Sequence, residues 1–260
     1  MANTRRPIIA GNWKMFKTTQ EATQFVEALW QQVQPHSNAQ LPEIVICPPF
    51  TALSSVKEAI SKVNAPFIVA AQNMESRDNG AYTGEISPLM LKDIGINWVV
   101  IGHSERRQYF NETDDTVAAK TVAALKHGIT PIVCVGELLQ ERESGLTDAV
   151  IEQQVRAVIT QISASELSKI VIAYEPVWAI GTGKVCEAAE ANRVCALIRH
   201  FVSEYGSAAQ TRVLYGGSVK PDNTQALMTQ SDIDGGLVGG ASLEAASFFG
   251  IIEQASLVKA

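Results

Sequence analysis

The sequence predicts an α/β protein, closed as a single-domain (β/α)8 barrel over residues 1–260. Three observations carry this expectation. Short runs rich in β-branched residues alternate with longer amphipathic segments. The runs are continuously apolar, as strands are when both faces of a parallel sheet are covered. The strand-then-helix unit recurs about eight times, the number that closes a parallel barrel.

The runs begin near Pro7, Glu43, Phe67, Asn97, Ile129, Lys169, Thr211 and Asp234. Ile44-Val45-Ile46, Trp98-Val99-Val100-Ile101 and Ile170-Val171-Ile172-Ala173 are typical cores. Helices are expected between them. The segment 18–34 opens on Thr18-x-x-Glu21, a capping-box pattern, and carries Phe25, Val26, Leu29, Trp30 and Val33 at helical spacing. The segment 114–127 stops before Gly128, and 148–162, 187–205, 221–228 and 243–257 read similarly. A doubly wound open sheet shares this alternation, but no G-x-G-x-x-G follows the first strand, which speaks against a dinucleotide site. Residues 76–83 are polar and contain Asn79-Gly80. No alternating strands flank that pair, so a long exposed loop is expected rather than a hairpin.

Composition narrows the partners. Hydrophobic residues make up 46% of the chain and charged residues 18%, which is the balance of an ordered globular protein. The formal net charge is −6 and there is no basic run, so a nucleic-acid surface is not expected. An acidic chain binds an anion through local groups, a lysine or two and aimed backbone amides. Cys47, Cys134, Cys186 and Cys195 form no C-x-x-C and match no zinc or disulfide framework. They read as reduced thiols in a reducing compartment. Arg5-Arg6 followed by so short an apolar run lacks the form of an export signal. No apolar stretch reaches the length of a membrane span. The expectation is a cytoplasmic protein with no metal, membrane or nucleic-acid partner.

In a barrel of this type, chemistry sits where strands end and helices begin. Asn12 and Lys14 follow the first run; His103, Ser104 and Glu105 follow the fourth; Glu175 closes the sixth. Each alone has an ordinary structural explanation. Together, a cation, an electrophile and a base converge on one mouth. Gly181-Thr182-Gly183, Gly216-Gly217-Ser218 and Gly239-Gly240 add an anion site, because glycine lets a phosphate approach backbone N–H groups closely. Loops after the last two strands commonly hold phosphate in this fold.

These segments resemble the triosephosphate isomerase family along essentially the whole chain. Gly11-Asn12-Trp13-Lys14 is similar to its first-strand motif, and Ile101-Gly102-His103-Ser104-Glu105-Arg106-Arg107 to its fourth. The stretch from Ala173 through Glu175-Pro176-Val177-Trp178 to Lys184 resembles the catalytic glutamate with its mobile loop. Tyr215-Gly216-Gly217-Ser218-Val219 and Leu237-Val238-Gly239-Gly240-Ala241-Ser242 resemble the phosphate loops. Three positions depart from the family pattern. Cys186 replaces a small apolar residue at the loop's C-terminal hinge, Glu187 stands where Ser or Thr is a common cap, and Gly236 where a larger residue is common.

The resemblance implies a TIM barrel that interconverts D-glyceraldehyde 3-phosphate and dihydroxyacetone phosphate through an enediolate. It implies that Glu175 moves the proton and that His103 is a neutral electrophile at the substrate oxygens. Lys14 and Asn12 would stabilise negative charge, with Glu105 supporting Lys14. Amides of Gly181, Ser218, Gly239 and Gly240 would hold the phosphate, and a lid over 176–186 would exclude water. Ser104 is expected to cap a helix whose positive end keeps the His103 ring neutral. No cofactor is implied, because the proton leaves and returns within one substrate. The resemblance also implies a homodimer, built on the 73–83 loop with Thr83, Glu85 and Arg106. Two rivals remain. An aldolase-like barrel would need a Schiff-base lysine deep in a strand. A phosphate-binding protein without catalysis would not need His103 and Glu175 together.

Overall fold

The computed structural model describes residues 5–36, 40–180, 186–206 and 208–259. Eight parallel strands close into one barrel in chain order: β1 (Ile8–Asn12), β2 (Glu43–Cys47), β3 (Ile68–Ala71), β4 (Trp98–Ile101), β5 (Thr130–Val135), β6 (Val171–Tyr174), β7 (Arg212–Tyr215) and β8 (Gly235–Val238). β1 pairs with both β2 and β8, which closes the ring. Each strand starts within one or two residues of its apolar run.

The continuous apolarity has two destinations. Ile8, Ala10, Val45, Cys47, Ala70, Val100, Ile132, Cys134, Val171, Ala173, Leu214 and Leu237 pack against one another inside the barrel. The alternate residues, such as Ile9, Ile44, Ile46 and Val99, join helix side chains in an outer core. Successive strand residues point to opposite faces, so a strand covered on both sides must be apolar throughout.

The expected helices form as α1 (Thr19–Val33), α5 (Asp114–Lys126), α7 (Thr147–Ile159), α8 (Ala188–Tyr205), α9 (Pro221–Met228) and α10 (Ala245–Lys259). Thr18 caps α1 in a full capping box with Glu21. α7 ends earlier than its periodicity suggests, and a separate 3-10 segment, Ala164–Lys169, opens after Ser163. α10 starts later than expected because Gly240–Ser242 first forms a 3-10 turn. α2 (Leu53–Val63), α3 (Pro88–Asp93), α4 (Ser104–Tyr109) and α6 (Leu139–Glu143) were not among the expected helices. The last three are too short to show a face. α2 buries Leu53, Val56, Ala59 and Ile60 and ends on Asn64 in the left-handed region. Residues 79–83 lie exposed in a loop. Gly236 leaves room for a side chain, since an added Cβ would meet Val219 and Val238 at an ordinary 3.6 Å.

Candidate active site

The site gathers at the C-terminal ends of the strands. β1 delivers Asn12, and the next residue, Trp13, turns into the core. The Trp13 indole N–H donates to the Ser242 carbonyl at 3.1 Å, and its ring meets Phe25 edge-on at 4.8 Å. Lys14 then takes a left-handed backbone, with φ of 53°. Its amide donates to Asn12 Oδ1 at 3.0 Å, and its Nζ pairs with Glu105 Oε1 at 2.6 Å.

β4 delivers His103, whose side chain rather than that of Ser104 caps α4. The Glu105 amide donates to His103 Nδ1 at 3.2 Å. The Ser104 amide is taken instead by Glu175 Oε2, at 2.9 Å. The helix opens one residue earlier than expected: the Arg106 and Arg107 amides donate to the His103 carbonyl at 2.8 and 3.2 Å, so His103 is the cap and Ser104 the first helical residue.

β6 delivers Glu175, which is buried. Its amide donates to the Val135 carbonyl at 2.7 Å, which continues the β5–β6 pairing by one residue. β5 runs close beside it. A Cβ on Gly136 would lie 1.7 Å from the Glu175 carbonyl oxygen, so only glycine permits this approach. The Gln154 carboxamide, from α7, accepts from the Gly136 amide at 2.7 Å and donates to its carbonyl at 3.2 Å. Beyond Glu175 the chain makes a 3-10 turn over Val177–Ala179.

Glu175 Oε1 lies 2.9 Å from His103 Nε2. Burial is the largest influence on Glu175 and raises its pKa. The charge and hydrogen bond of His103, the Ser104 amide and Lys14 together outweigh burial and hold the carboxyl below its ordinary value. For His103, burial is again the largest influence and lowers the pKa, while the charge and hydrogen bond of Glu175 turn the net direction upward. A backbone contact outside that balance opposes protonation. Nδ1 already accepts an amide hydrogen, and an imidazolium would set N–H against N–H at a helix start. The hydrogen bonds therefore fit a ring that carries its proton on Nε2, aimed at Glu175.

Asn12, Lys14, His103, Glu175, Ser218, Lys220, Gly239 and Gly240 line one cleft of about 270 Å³. The β8 glycines lie beside the lysine, since a Cβ on Gly239 would stand 3.5 Å from Lys14 Cε. Gly181 lies outside the described residues, as do Thr182 and Gly183. The arrangement offers a carboxylate, an N–H donor and a cation around a small polar ligand, with glycine-rich turns opposite.

The sequence profile of triosephosphate isomerase matches residues 7–255. The chain belongs to the triosephosphate isomerase family. It is 54% identical over 251 residues to the triosephosphate isomerase of Trichlorobacter lovleyi, covering 95% of this chain and 98% of that one. The enzyme of that name from Caldanaerobacter subterraneus subsp. tengcongensis is 53% identical over 251 residues, covering 95% and 99%. For Thermoanaerobacter pseudethanolicus the identity is 51% over 251 residues, with the same coverage.

In this triosephosphate isomerase-family chain, Thr83 and Glu85 lie on the exposed loop. Arg106 pairs within the chain with Glu112 at 2.6 Å. Two polar residues near the cleft had no counterpart in the sequence reading. Lys220, which lines the cleft and stands before α9, follows the Gly216-Gly217-Ser218 turn by two residues, and that spacing is a signal. Gln72 follows β3 directly, and it becomes visible when the strand-end rule is applied to the third strand. Cys186 is buried, with its thiol pushed up to about 11 chiefly by burial. Glu187 occupies the cap position of α8 without a side-chain cap hydrogen bond.

Proposed function

We propose that the cleft interconverts D-glyceraldehyde 3-phosphate and dihydroxyacetone phosphate, with Glu175 as the base. The observation that carries this reading is the contact of the Glu175 carboxylate with His103 Nε2 at 2.9 Å, in a cleft that also holds Lys14. A proton next to a carbonyl is weakly acidic, so its removal needs a placed base and a stabilised oxyanion. Glu175 takes the proton from carbon 1 of the ketose. The C–H electrons form the carbon–carbon double bond, and the carbonyl electrons move onto oxygen. His103 Nε2–H and Lys14 stabilise the resulting enediolate, with Asn12 helping to polarise oxygen. His103 Nε2–H gives its proton to oxygen 2 and the ring takes the proton of oxygen 1, so the negative charge moves to oxygen 1; Glu175 then returns its proton to carbon 2 as the carbonyl re-forms at carbon 1. Glu105 supports Lys14, and amides at Gly181, Ser218, Gly239 and Gly240 hold the phosphate. No cofactor enters this scheme.

The chain works as one domain and as a homodimer. Met15, Phe16, Tyr82, Tyr109 and Phe110 are large apolar side chains left exposed, which a partner surface would cover. Met15, Phe50 and Phe110 line a hollow next to Lys14 and Glu105, suited to the partner's 73–83 loop carrying Thr83. Glu85 and Arg106 support that interface. Among the described residues no helix is long and apolar enough to cross a membrane. Cys47, Cys134, Cys186 and Cys195 are free thiols, which suits a cytoplasmic location.

A coupled assay of glyceraldehyde 3-phosphate conversion tests the reading with Glu175→Gln beside the wild type. The expected loss is about 10²–10⁴-fold in kcat. A folded wild type without turnover would leave the cleft as a phosphate-binding site only.

A further inference from the structure

We propose that Gln72 is a positioning residue that holds Lys14 in its working conformation. Lys14 occupies the left-handed region at φ of 53°, where a non-glycine residue needs local support. Side chains grip its peptide groups on both sides. The Lys14 amide donates to Asn12 Oδ1 at 3.0 Å. The Lys14 carbonyl accepts from Gln72 Nε2 at 2.8 Å.

The same Gln72 nitrogen donates to the Cys47 carbonyl, also at 2.8 Å. Cys47 ends β2, and its carbonyl already accepts the Trp13 amide at 3.1 Å. One carboxamide from the end of β3 therefore ties the turn after β1 to the end of β2. Both of its hydrogens are used, which a hydroxyl or a carboxylate cannot reproduce. Asparagine keeps the donors but is shorter by one methylene. Gln72 lines the hollow on the Arg106 side of Lys14 and is not among the residues of the main cleft. It therefore acts through Lys14 rather than on the ligand. Without its donors, the Lys14 backbone relaxes toward the right-handed region and carries Nζ away from its place beside the cleft.

The inference rests on the assignment of Lys14 to the substrate's negative charge. A double-mutant cycle of Gln72→Met and Lys14→Met, read as kcat and KM separately, tests both. Gln72→Met alone lowers kcat/KM about tenfold, with a rise in KM. In the Lys14→Met background the same change has no further effect, because the group it positions is gone. A tenfold loss in both backgrounds would overturn the inference and leave Lys14 untouched. So would a loss of kcat at constant KM that is matched in full by a loss of folded protein in circular dichroism, which signals fewer folded molecules. Wild-type kinetics for Lys14→Met would remove the Lys14 assignment, and the inference with it. Should Gln72→Met fail to fold by circular dichroism, Gln72→Glu keeps size and polarity, lacks the donors, and is read in the same cycle.

Discussion

The position of Glu175 depends on a residue with no side chain. At Gly136 an added Cβ would lie 1.7 Å from the Glu175 carbonyl oxygen, 2.7 Å from its carbonyl carbon and 3.3 Å from its Cα. All three are backbone atoms, so no rotamer change relieves the overlap. Separation to 3.0 Å, the lower limit of observed Cβ contacts, requires β5 and β6 to part by about 1.3 Å at their C-terminal ends. Gly136 cannot retreat freely, because Gln154 holds both its amide and its carbonyl. Glu175 therefore moves, and its amide bond to Val135 lengthens from 2.7 Å. A displacement of about 1 Å at a catalytic group costs on the order of 10²-fold. Overpacking of a filled core costs about 1–3 kcal/mol, and each kcal/mol is worth about 2–4 °C in Tm near this chain length. Gly136→Ala should lower kcat/KM by about 10²-fold and Tm by several degrees, by steady-state kinetics and calorimetry. A variant with reduced Tm and wild-type kcat/KM would show that Gly136 serves the fold without placing Glu175. Unchanged values of both would refute the steric argument itself.

Two further outcomes are expected. Lys220→Gln, at the exposed rim of the cleft, should lower kcat/KM about two- to fivefold at low salt, because a lone surface cation contributes modestly and is screened; the gap should close at about 0.5 M salt, and a gap independent of salt would exclude an electrostatic role. Glu112 is buried against Lys120 and Arg106; burial is its largest influence and raises its pKa, but the two cations outweigh it and hold the carboxyl below its ordinary value. A folded pKa below the unfolded one gives stability that is complete above the unfolded carboxylate range and is lost as pH falls through the folded value. Urea unfolding should show Glu112→Gln roughly 3 kcal/mol less stable at pH 7, since it breaks a buried ion pair, with the difference shrinking toward pH 3; a difference constant with pH would locate the effect in packing.

The barrel was legible because its strands must be apolar on both faces, and that requirement writes continuous runs such as Ile44-Val45-Ile46 into the sequence. The site was legible where a polar residue directly ends such a run, as Asn12 and Glu175 do. Three features were missed. α4 is too short to show a face, and its cap is a histidine, so serine at position 104, the commoner cap residue, was the natural expectation. α2 does show an apolar face, Leu53, Val56, Ala59 and Ile60 at helical spacing with serines outside it, and was passed over. Gln72 acts on one carbonyl in the turn after β1 and one at the end of β2, at sequence separations of 58 and 25. Its own neighbourhood contains no trace of them. Local pattern reports what a residue is beside in the chain, whereas Gln72 matters for what it reaches across the barrel mouth.

The pairing of Glu175 with His103 has a consequence for how the proposed base works. The carboxylate accepts from His103 Nε2 and from the Ser104 amide, and these contacts hold its pKa down against burial. The scheme requires the same Nε2–H to face the substrate oxygen. One N–H cannot serve the carboxylate and the ligand equally, so binding transfers the donor from Glu175 to the substrate. Burial, the largest single influence on Glu175, then acts with less opposition and raises the affinity of the carboxylate for a proton. The base strengthens as the donor that restrained it begins to polarise the carbonyl. Both changes favour the same step, because a more basic carboxylate and a better stabilised oxyanion each lower the barrier to removing the carbon-bound proton. In the proposed scheme the 2.9 Å contact thus restrains the base until the substrate oxygen takes over the same donor.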